Sequence, residues 1–363
     1  MKIYQIVTNL SIGDAIGNDI LAIDETLSEA GYHSRIMSST IHEQLTGRAS
    51  DVDFSRIQPE DLVIFHKATG DSFGGFAAQL PCTRGMIYHN ITPAKFFLPY
   101  DDVMAWNLWR GRRQLRKLAK IMDFAWGDSS YNCRELELAG FPREKLAVLP
   151  ILFGKDDGQV GPDPETLRRL TAQRGTRLLF IGRIAPNKKQ EDIIKLYYCF
   201  LRDVDPDAKL YIVGNWSGFE KYYAKLKGFA ADLRLRDDQV VFAGHVTEAE
   251  KSAYLACADA FVCMSEHEGF CIPLLEAMRR DVPVIAYASS AVPETLGENG
   301  LLFQKKDYVE MARQTGRACR DEAFRQRVLQ SQRENLKRFD RETTRTKLLG
   351  LVRQAVECKG AVR

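Results

Sequence analysis

Along the chain, short runs of apolar, β-branched and aromatic residues alternate with longer stretches whose apolar positions recur at helical spacing. Strands buried on both faces give near-continuous apolar runs, and the connections between them give amphipathic helices. In the first half the strand candidates are KIYQIV, SRIM, DLVIFH, GMIYHN, FAWGDS and LAVLP. The intervening segments IGNDILAIDETLSEAG and CRELELAG keep a helical period and stop at a glycine. A second series follows: TRLLFIGRI, AKLYIVG, QVVFAGHV, DAFVCMS, VPVIAYA and GLLF. Between the series, FGKDDGQVGPDPETLRR is rich in Gly, Pro and Asp, as linkers are. The alternation predicts an α/β protein with two doubly wound domains, residues 1–160 and 161–340, followed by a helical, charged tail over 341–363. The pattern does not assign that tail to either domain.

Composition narrows the class without changing this outline. At 363 residues the chain exceeds the usual size of one hydrophobic core. A net charge of +3 argues against wholesale nucleic-acid binding. Eight cysteines with no C-x-x-C pair indicate neither a zinc site nor a disulfide framework, and fit a reducing cytosol. No basic stretch leads into a long apolar region, and no apolar run reaches the roughly 18 residues a spanning helix needs. The expected location is the cytoplasm, with the inner membrane face as a place of peripheral contact.

Open parallel sheets bind ligands beyond the carboxyl ends of their strands, so chemistry is sought directly after each strand. Arg183 and Lys188 follow LLFIG, where a planar fork and a mobile ammonium can reach a diphosphate. A lone loop cation is more often simply solvated; the strand and Gly182 ahead of Arg183 favour the site. After AFVCMS comes EHEGFCIPLLEAM, with Pro273 suited to a first helical turn. The amides of Phe270, Cys271 and Ile272 then sit at a helix N-terminus, and Gly269 permits close backbone approach to a ligand. Glu268 stands in the loop and Glu276 one turn into the helix, one placed for sugar hydroxyls and the other for a ribose diol. As an isolated pair they would be an ordinary loop carboxylate and a solvent-facing helix residue.

In the first half, Gly13 and Gly17 flank the loop after the first strand, without the G-x-G-x-x-G spacing of dinucleotide enzymes. His89, in MIYHNITP, either orients a sugar hydroxyl or is a supporting loop histidine, with Asn90 and Thr92 as neighbours. Residues 106–122, WNLWRGRRQLRKLAKIM, carry six cations (Arg110, Arg112, Arg113, Arg116, Lys117, Lys120) and no acid. They suit an anionic membrane surface, or more simply an amphipathic helix with its apolar face in the core. Asp51 and Asp53, and Asp203 and Asp205, form D-x-D pairs in polar loops and read as turn carboxylates.

The ordered series IGRIAPNKKQEDII, AKLYIVG, VVFAGHVTEAEKSAYLACADAFVCMS and EHEGFCIPLLEAMRRDVPVIAYASSAVPETLGENGLLF spans residues 177 to about 307. It resembles the retaining, nucleotide-sugar-dependent glycosyltransferases of the GT-B architecture (family 4-like, group 1), marked by two glutamates with seven residues between them. Cys271 departs from that pattern, which often has glycine there, and so does Asp281, where glycine usually precedes the PV pair. Cys271 is expected to narrow the space near the donor sugar.

The resemblance implies two Rossmann-like domains facing a central cleft, with acceptor binding in the first and nucleotide-sugar binding in the second. By the same resemblance Arg183 and Lys188 bind the donor diphosphate, Glu268 contacts the donor sugar and Glu276 holds the ribose. The amides around Gly269, Phe270, Cys271 and Ile272 complete the cradle, His245 and Val246 lie near the base, Gly13 and Asp14 meet the diphosphate, and His89 lies near the donor sugar. The implied reaction is hexose transfer with retention, needing no cofactor and no metal. GDAIGND and YHNITP resemble bacterial enzymes of surface polysaccharide synthesis, which points to mannose from GDP-mannose, then to UDP-hexoses, with a saccharide or lipid-linked acceptor and no nucleic-acid partner. A sugar phosphorylase or synthase on the same scaffold, and a non-catalytic nucleotide-sugar-binding partner, are the alternatives.

Overall fold

A computed structural model describes residues 1–11, 13–154, 160–297 and 300–357. The middle of the linker segment, residues 155–159, and the last six residues of the tail lie outside the described residues.

The first sheet is built from β1 (Lys2–Leu10), β2 (His33–Ile41), β3 (Ala49–Asp51), β4 (Leu62–Lys67), β5 (Thr83–Tyr88), β6 (Phe124–Gly127) and β7 (Leu146–Val148). Their order is β3-β2-β1-β4-β5-β6-β7, with every pairing parallel. β4 is buried along its whole length, as its apolar run requires of a central strand. β3 has no counterpart in the apolar pattern, because Ala-Ser-Asp on an exposed edge gives no hydrophobic signal. The helix Ala15–Glu29 turns Ile20, Ala22, Ile23 and Leu27 inward; Asp14 caps its start and Gly31, at φ +84°, takes the left-handed position after its end.

The second sheet comprises β8 (Arg177–Ile181), β9 (Lys209–Val213), β10 (Val240–Gly244), β11 (Ala260–Cys263), β12 (Val284–Tyr287) and β13 (Leu301–Phe303). It runs β10-β9-β8-β11-β12-β13, again all parallel. In each sheet the strand order reverses once, between β1 and β4 and between β8 and β11. Loops leaving such neighbours diverge to opposite faces and open a crevice at the strands' carboxyl ends.

The chain forms two compact units, each discontinuous. One comprises Met1–Ala94, Val103–Lys155 and Arg338–Arg363; the other comprises Lys95–Asp102 and Asp156–Lys337. The tail helix Arg341–Glu357 belongs to the first unit, where Leu348, Leu349 and Val352 share a core with Ile3, Ile23 and Leu27. Residues 95–102 leave the first unit's chain path and pack in the second: Phe97 lies 5.5 Å from Phe219, and Tyr100 meets Tyr222 edge-on at 5.3 Å.

Candidate active site

In the second unit, three strands end on glycines with positive φ: Gly182 at 151°, Gly214 at 150° and Gly244 at 75°. Gly182 N–H donates to Val213 at 2.9 Å and Gly214 N–H to Gly244 at 2.8 Å, so the strand ends are stitched beyond the regular ladder. A Cβ on Gly214 would lie 2.0 Å from the Gly182 oxygen, an approach that only glycine permits. Arg183 leaves this junction exposed, its guanidinium 4.6 Å above the Phe219 ring and donating to Ser217 O at 3.2 Å. Lys188 ends the short turn Pro186–Lys188, and its Nζ donates to both oxygens of Glu268, at 2.6 and 2.7 Å. The Glu268 side chain is only 7% exposed and that of Lys188 21%. Burial works against the ammonium, but the Glu268 carboxylate more than offsets it and holds Lys188 above the usual lysine range.

The loop that carries Glu268 is fixed almost atom by atom. Ser290 Oγ accepts from Glu268 N–H at 2.8 Å, Asn187 Nδ2 donates to His267 O at 3.0 Å, and Ser289 Oγ donates to Ser265 O at 2.5 Å. Lys306 bridges Glu266 and Asp192 at 2.7 and 2.6 Å, and Thr295 donates to Phe270 O. Cys271 then takes the left-handed conformation, φ 76° and ψ 64°, and caps the helix Ile272–Arg279 with Pro273 in its first turn. The family's glycine at this position therefore has a backbone reason. Asp281, the other departure, is likewise left-handed at φ 54°. The Cys271 thiol is buried and shares a site with Cys263 and Glu268, their ligand atoms all within 4.8 Å of one another. Its S–H donates to Cys263, which raises Cys271 well above and lowers Cys263 below the ordinary thiol value.

Glu276 does not join Glu268. One helical turn further on, its carboxylate accepts from Lys251 at 2.8 Å, and Lys251 also holds Glu248 at 2.7 Å. Gly269 and Ile272 are half-buried and Phe270 is buried at the helix entry; His245 is exposed and Val246 half-buried after β10. The loops after β8 and β11 thus bring Lys188, Glu268 and the cap at Cys271 together, with Arg183 starting from the same strand end. Lys251, Asn187, Ser290 and Lys306 escaped sequence reasoning because each acts on a partner 22 or more residues away.

In the first unit, Gly13 is exposed at φ 73° and Asp14 spends its carboxylate on the helix cap, accepting from Gly17 N–H at 3.4 Å. His89 follows β5, but its side chain is 1% exposed and both ring nitrogens are engaged. Nδ1 faces Asp128 at 3.2 Å and Nε2 faces His66 Nδ1 at 2.9 Å, while His66 Nε2 faces Gln5 Oε1 at 3.0 Å. Gln5 is oriented by its own amide, which donates to Ile20 O at 3.3 Å, so its oxygen receives the His66 Nε2–H. The protons therefore run in one direction: His66 Nδ1 is an acceptor and His89 Nε2–H the donor to it. Burial opposes charge on His89, yet Asp128, Asp19 and Asp14 together lift it above the ordinary histidine value, and burial pushes Asp19 up to about 7. Burial and the His89 charge hold His66 well below its usual value. His66 was legible as a polar residue inside an apolar run; Asp19 and Asp128 carried no such signal. Asn90, left-handed at φ 76°, donates to Asn132 at 2.8 Å, and Thr92 is half-buried. Neither D-x-D pair sits wholly in a loop, since Asp51 ends β3 and Asp203 ends the helix Gln190–Asp203; Asp53 engages Ser55 at 2.6 Å and Asp205 reaches Thr176, 29 residues away, at 2.6 Å.

Residues 167–335 match the family model for glycosyl transferases group 1. Over that span, just under half of the chain, the protein is similar to the group 1 glycosyl transferases. A GDP-mannose-dependent alpha-(1-6)-phosphatidylinositol monomannoside mannosyltransferase of Mycobacterium tuberculosis is 32% identical over 199 residues, covering 52% of this chain and 50% of the relative. The serotype-specific mannosyltransferase WbdA of Escherichia coli is 22% identical over 297 residues, 76% of this chain and 34% of that protein. The chain thus spans about half the length, or less, of the curated relatives it matches. Among solved structures, Anabaena Alr3699/HepE in complex with UDP-glucose superposes with a TM-score of 0.75 at 17% identity, covering 98% of this chain and all of the other. Sucrose-phosphate synthase from Thermosynechococcus elongatus gives 0.75 at 18% identity, covering 99% of this chain and all of its own. These likenesses, with the two parallel sheets, establish the GT-B pair of Rossmann-like domains.

Proposed function

We propose that this protein is a group 1 retaining hexosyltransferase that moves mannose from GDP-mannose to a saccharide or lipid-linked acceptor during bacterial surface polysaccharide synthesis. The observation that carries the reading is the Lys188–Glu268 pair at the mouth of the helix Ile272–Arg279, with Arg183 issuing from the same strand end. A diphosphate leaving group needs cations and peptide N–H groups preorganised where its charge develops, and this loop pair supplies them on rigid backbone. Lys188 and Arg183 take the diphosphate. Glu268 accepts from donor-sugar hydroxyls once Lys188 turns toward phosphate, and Glu276 uses the oxygen not held by Lys251 for the ribose. The amides at Phe270, Cys271 and Ile272 line the sugar and phosphate, with His245 and Val246 toward the base. Within the first unit, Gly13 and Asp14 of the opening loop are assigned to phosphate contact, and His89, whose two ring nitrogens are engaged by Asp128 and His66, has no nitrogen left to accept from a sugar hydroxyl. No metal or other cofactor is required for these roles.

The named relatives that use GDP-mannose favour mannose over UDP-linked sugars. The test is a panel of GDP- and UDP-hexoses scored for nucleoside diphosphate release, with lipid-linked saccharide extracts as acceptor and with chelator present. GDP-mannose turnover that survives chelation and is lost in Glu268→Gln supports the reading. Turnover only with a UDP-hexose, or unaltered turnover in Glu268→Gln, overturns the sugar or the site respectively. Sugar phosphate formed from a free disaccharide and inorganic phosphate would replace the reaction with phosphorolysis.

A further inference from the structure

The helix Asp102–Leu118 does not use its two tryptophans for packing. Ala105, Leu108, Gly111, Leu115 and Leu118 form its buried stripe. Val103, Trp106 and Trp109 stand outside it, 72%, 58% and 42% exposed. The two indoles stack on each other at 4.8 Å, and the Arg113 guanidinium lies 4.8 Å over Trp109. The same outward stripe continues through Arg110, Arg113, Arg116, Lys117 and Lys120, all exposed, and no acid occurs between Val103 and Lys120.

The helix cannot roll to hide this face. A Cβ on Gly111 would lie 2.6 Å from Gly70 N, so the two backbones are in direct contact. Gln114 Oε1 accepts from Lys67 at 2.8 Å and from Asp71 N–H at 3.2 Å. Arg112, the sixth cation of the stretch, points inward and is spent on Glu135 at 2.7 Å and Ile91 O at 2.5 Å. What remains outside is an apolar aromatic edge beside a five-cation field, on a molecule whose net charge is only +3.

We infer that this face docks on an anionic phospholipid bilayer, with Trp106 and Trp109 at the headgroup boundary and the five cations over the lipid charge. Indoles prefer that boundary, and Lys or Arg side chains near an anionic leaflet add attraction that salt screens. A soluble polyanion would engage the cations and leave the stacked indoles without a partner. The inference extends the proposed function by giving a lipid-borne acceptor a surface on which to be met. It is read without turnover, so its failure leaves the transfer reaction untouched.

The full-length chain is sedimented with vesicles of phosphatidylcholine alone and with about one-third phosphatidylglycerol, at about 0.1 M salt. Binding to the anionic vesicles only, with a blue shift of tryptophan emission, is expected; Trp126 is buried and Trp216 is half-buried against Tyr223, so the part of the shift that is lost in the double tryptophan variant reports the exposed pair. Arg113→Gln with Lys117→Gln should weaken binding about 25-fold, at about fivefold per charge. Trp106→Ser with Trp109→Ser should abolish the blue shift while leaving a salt-sensitive remnant. Circular dichroism establishes that each variant is folded. No sedimentation of the unaltered chain, binding indifferent to both double variants, or preference for single-stranded RNA without a blue shift would overturn the docking.

Discussion

At the scale of single residues, the Lys188–Glu268 pair sets competing demands. With the ammonium removed, a carboxylate only 7% exposed has no counter-ion, so Lys188→Ala should cost about 3 kcal/mol of stability as well as turnover. Adding Glu268→Gln should recover part of the stability and none of the activity, a separation that thermal melts and nucleotide release would show together. Cys271 can be tested through its backbone: in the left-handed conformation Cys271→Gly should stay within about 1 kcal/mol, whereas the β-branched Cys271→Val should lose about 2 kcal/mol or more. The buried cluster of the first unit gives a pH dependence whose sign follows from its directions. His89, raised, contributes stability that is complete below the ordinary histidine value and is lost as pH rises through its folded value. Asp19, raised to about 7, keeps a proton that the unfolded chain releases near pH 4, so it costs stability progressively from about pH 4 to about 7 and nothing further above that. Asp128, raised by burial, acts in the same direction, and Asp14 faces the same imidazole. His66, lowered, acts oppositely and only below its ordinary value, where the unfolded chain takes up a proton that the folded one refuses. The unfolding midpoint should therefore fall as pH rises above about 6.5, where His66 no longer offsets the others and the unfolded chain has released the proton that His89 still holds, at up to about 1.4 kcal/mol per pH unit for each proton that the folded state retains; Asp19→Asn should remove the Asp19 share of the slope between about pH 4 and 7. An unchanged slope in that variant would remove Asp19 from the account.

At the scale of elements, the strands were legible because burial on both faces leaves an uninterrupted apolar run, and β8 to β13 all fall within segments read from the sequence. The candidate loops were legible for a related reason: they follow those strands, and the loops after β1, β8 and β11 leave the places where strand order reverses, whereas those after β5 and β10 do not. What could not be read was rotation. The stretch from Trp106 to Met122 shows helical spacing whichever face is inward, and only the contact of Gly70 with Gly111 decides that Leu115 and Leu118 are buried and the tryptophans are not. The strand-end glycines are a second case, since a glycine after an apolar run signals a turn without saying what it touches. Gly214→Ala should be severe because its methyl carbon would sit 2.0 Å from a carbonyl oxygen of the neighbouring strand end, at a φ of 150°. Separation of β8 from β9 at that junction should cost about 2 kcal/mol or more and raise the donor KM by displacing the loop that carries Arg183. Gly13→Ala, with nothing within 4 Å of its new methyl and only a positive φ against it, is the milder comparison.

At the scale of the whole molecule, chain order and spatial order part company. Two parallel sheets follow from the alternation of apolar runs and amphipathic stretches, but the period of a helix does not state which sheet it covers, so the tail was unassignable from sequence. The structure assigns it: Leu348, Leu349, Val352 and Ala355 complete the core formed by Ile3, Ile23, Leu27, Leu62 and Ile64, and Arg341 reaches Glu25 and Glu29 at 3.9 and 3.8 Å. Those ion pairs are partly exposed and contribute little. The three large apolar side chains contribute about 2 kcal/mol each, which matches or exceeds the net stability of many domains. The first sheet is therefore contiguous in space and incomplete in sequence without residues 338–357. A fragment ending at Gly154 should be poorly folded, expose its core to a hydrophobic dye and melt without cooperativity, although it carries all seven strands. The same fragment joined through a flexible linker to residues 338–357 should recover a cooperative transition, and Leu348→Asp in that fusion should abolish it again. A cooperative melt from the shorter fragment alone would show that the tail helix only covers the sheet and is not required to hold it together.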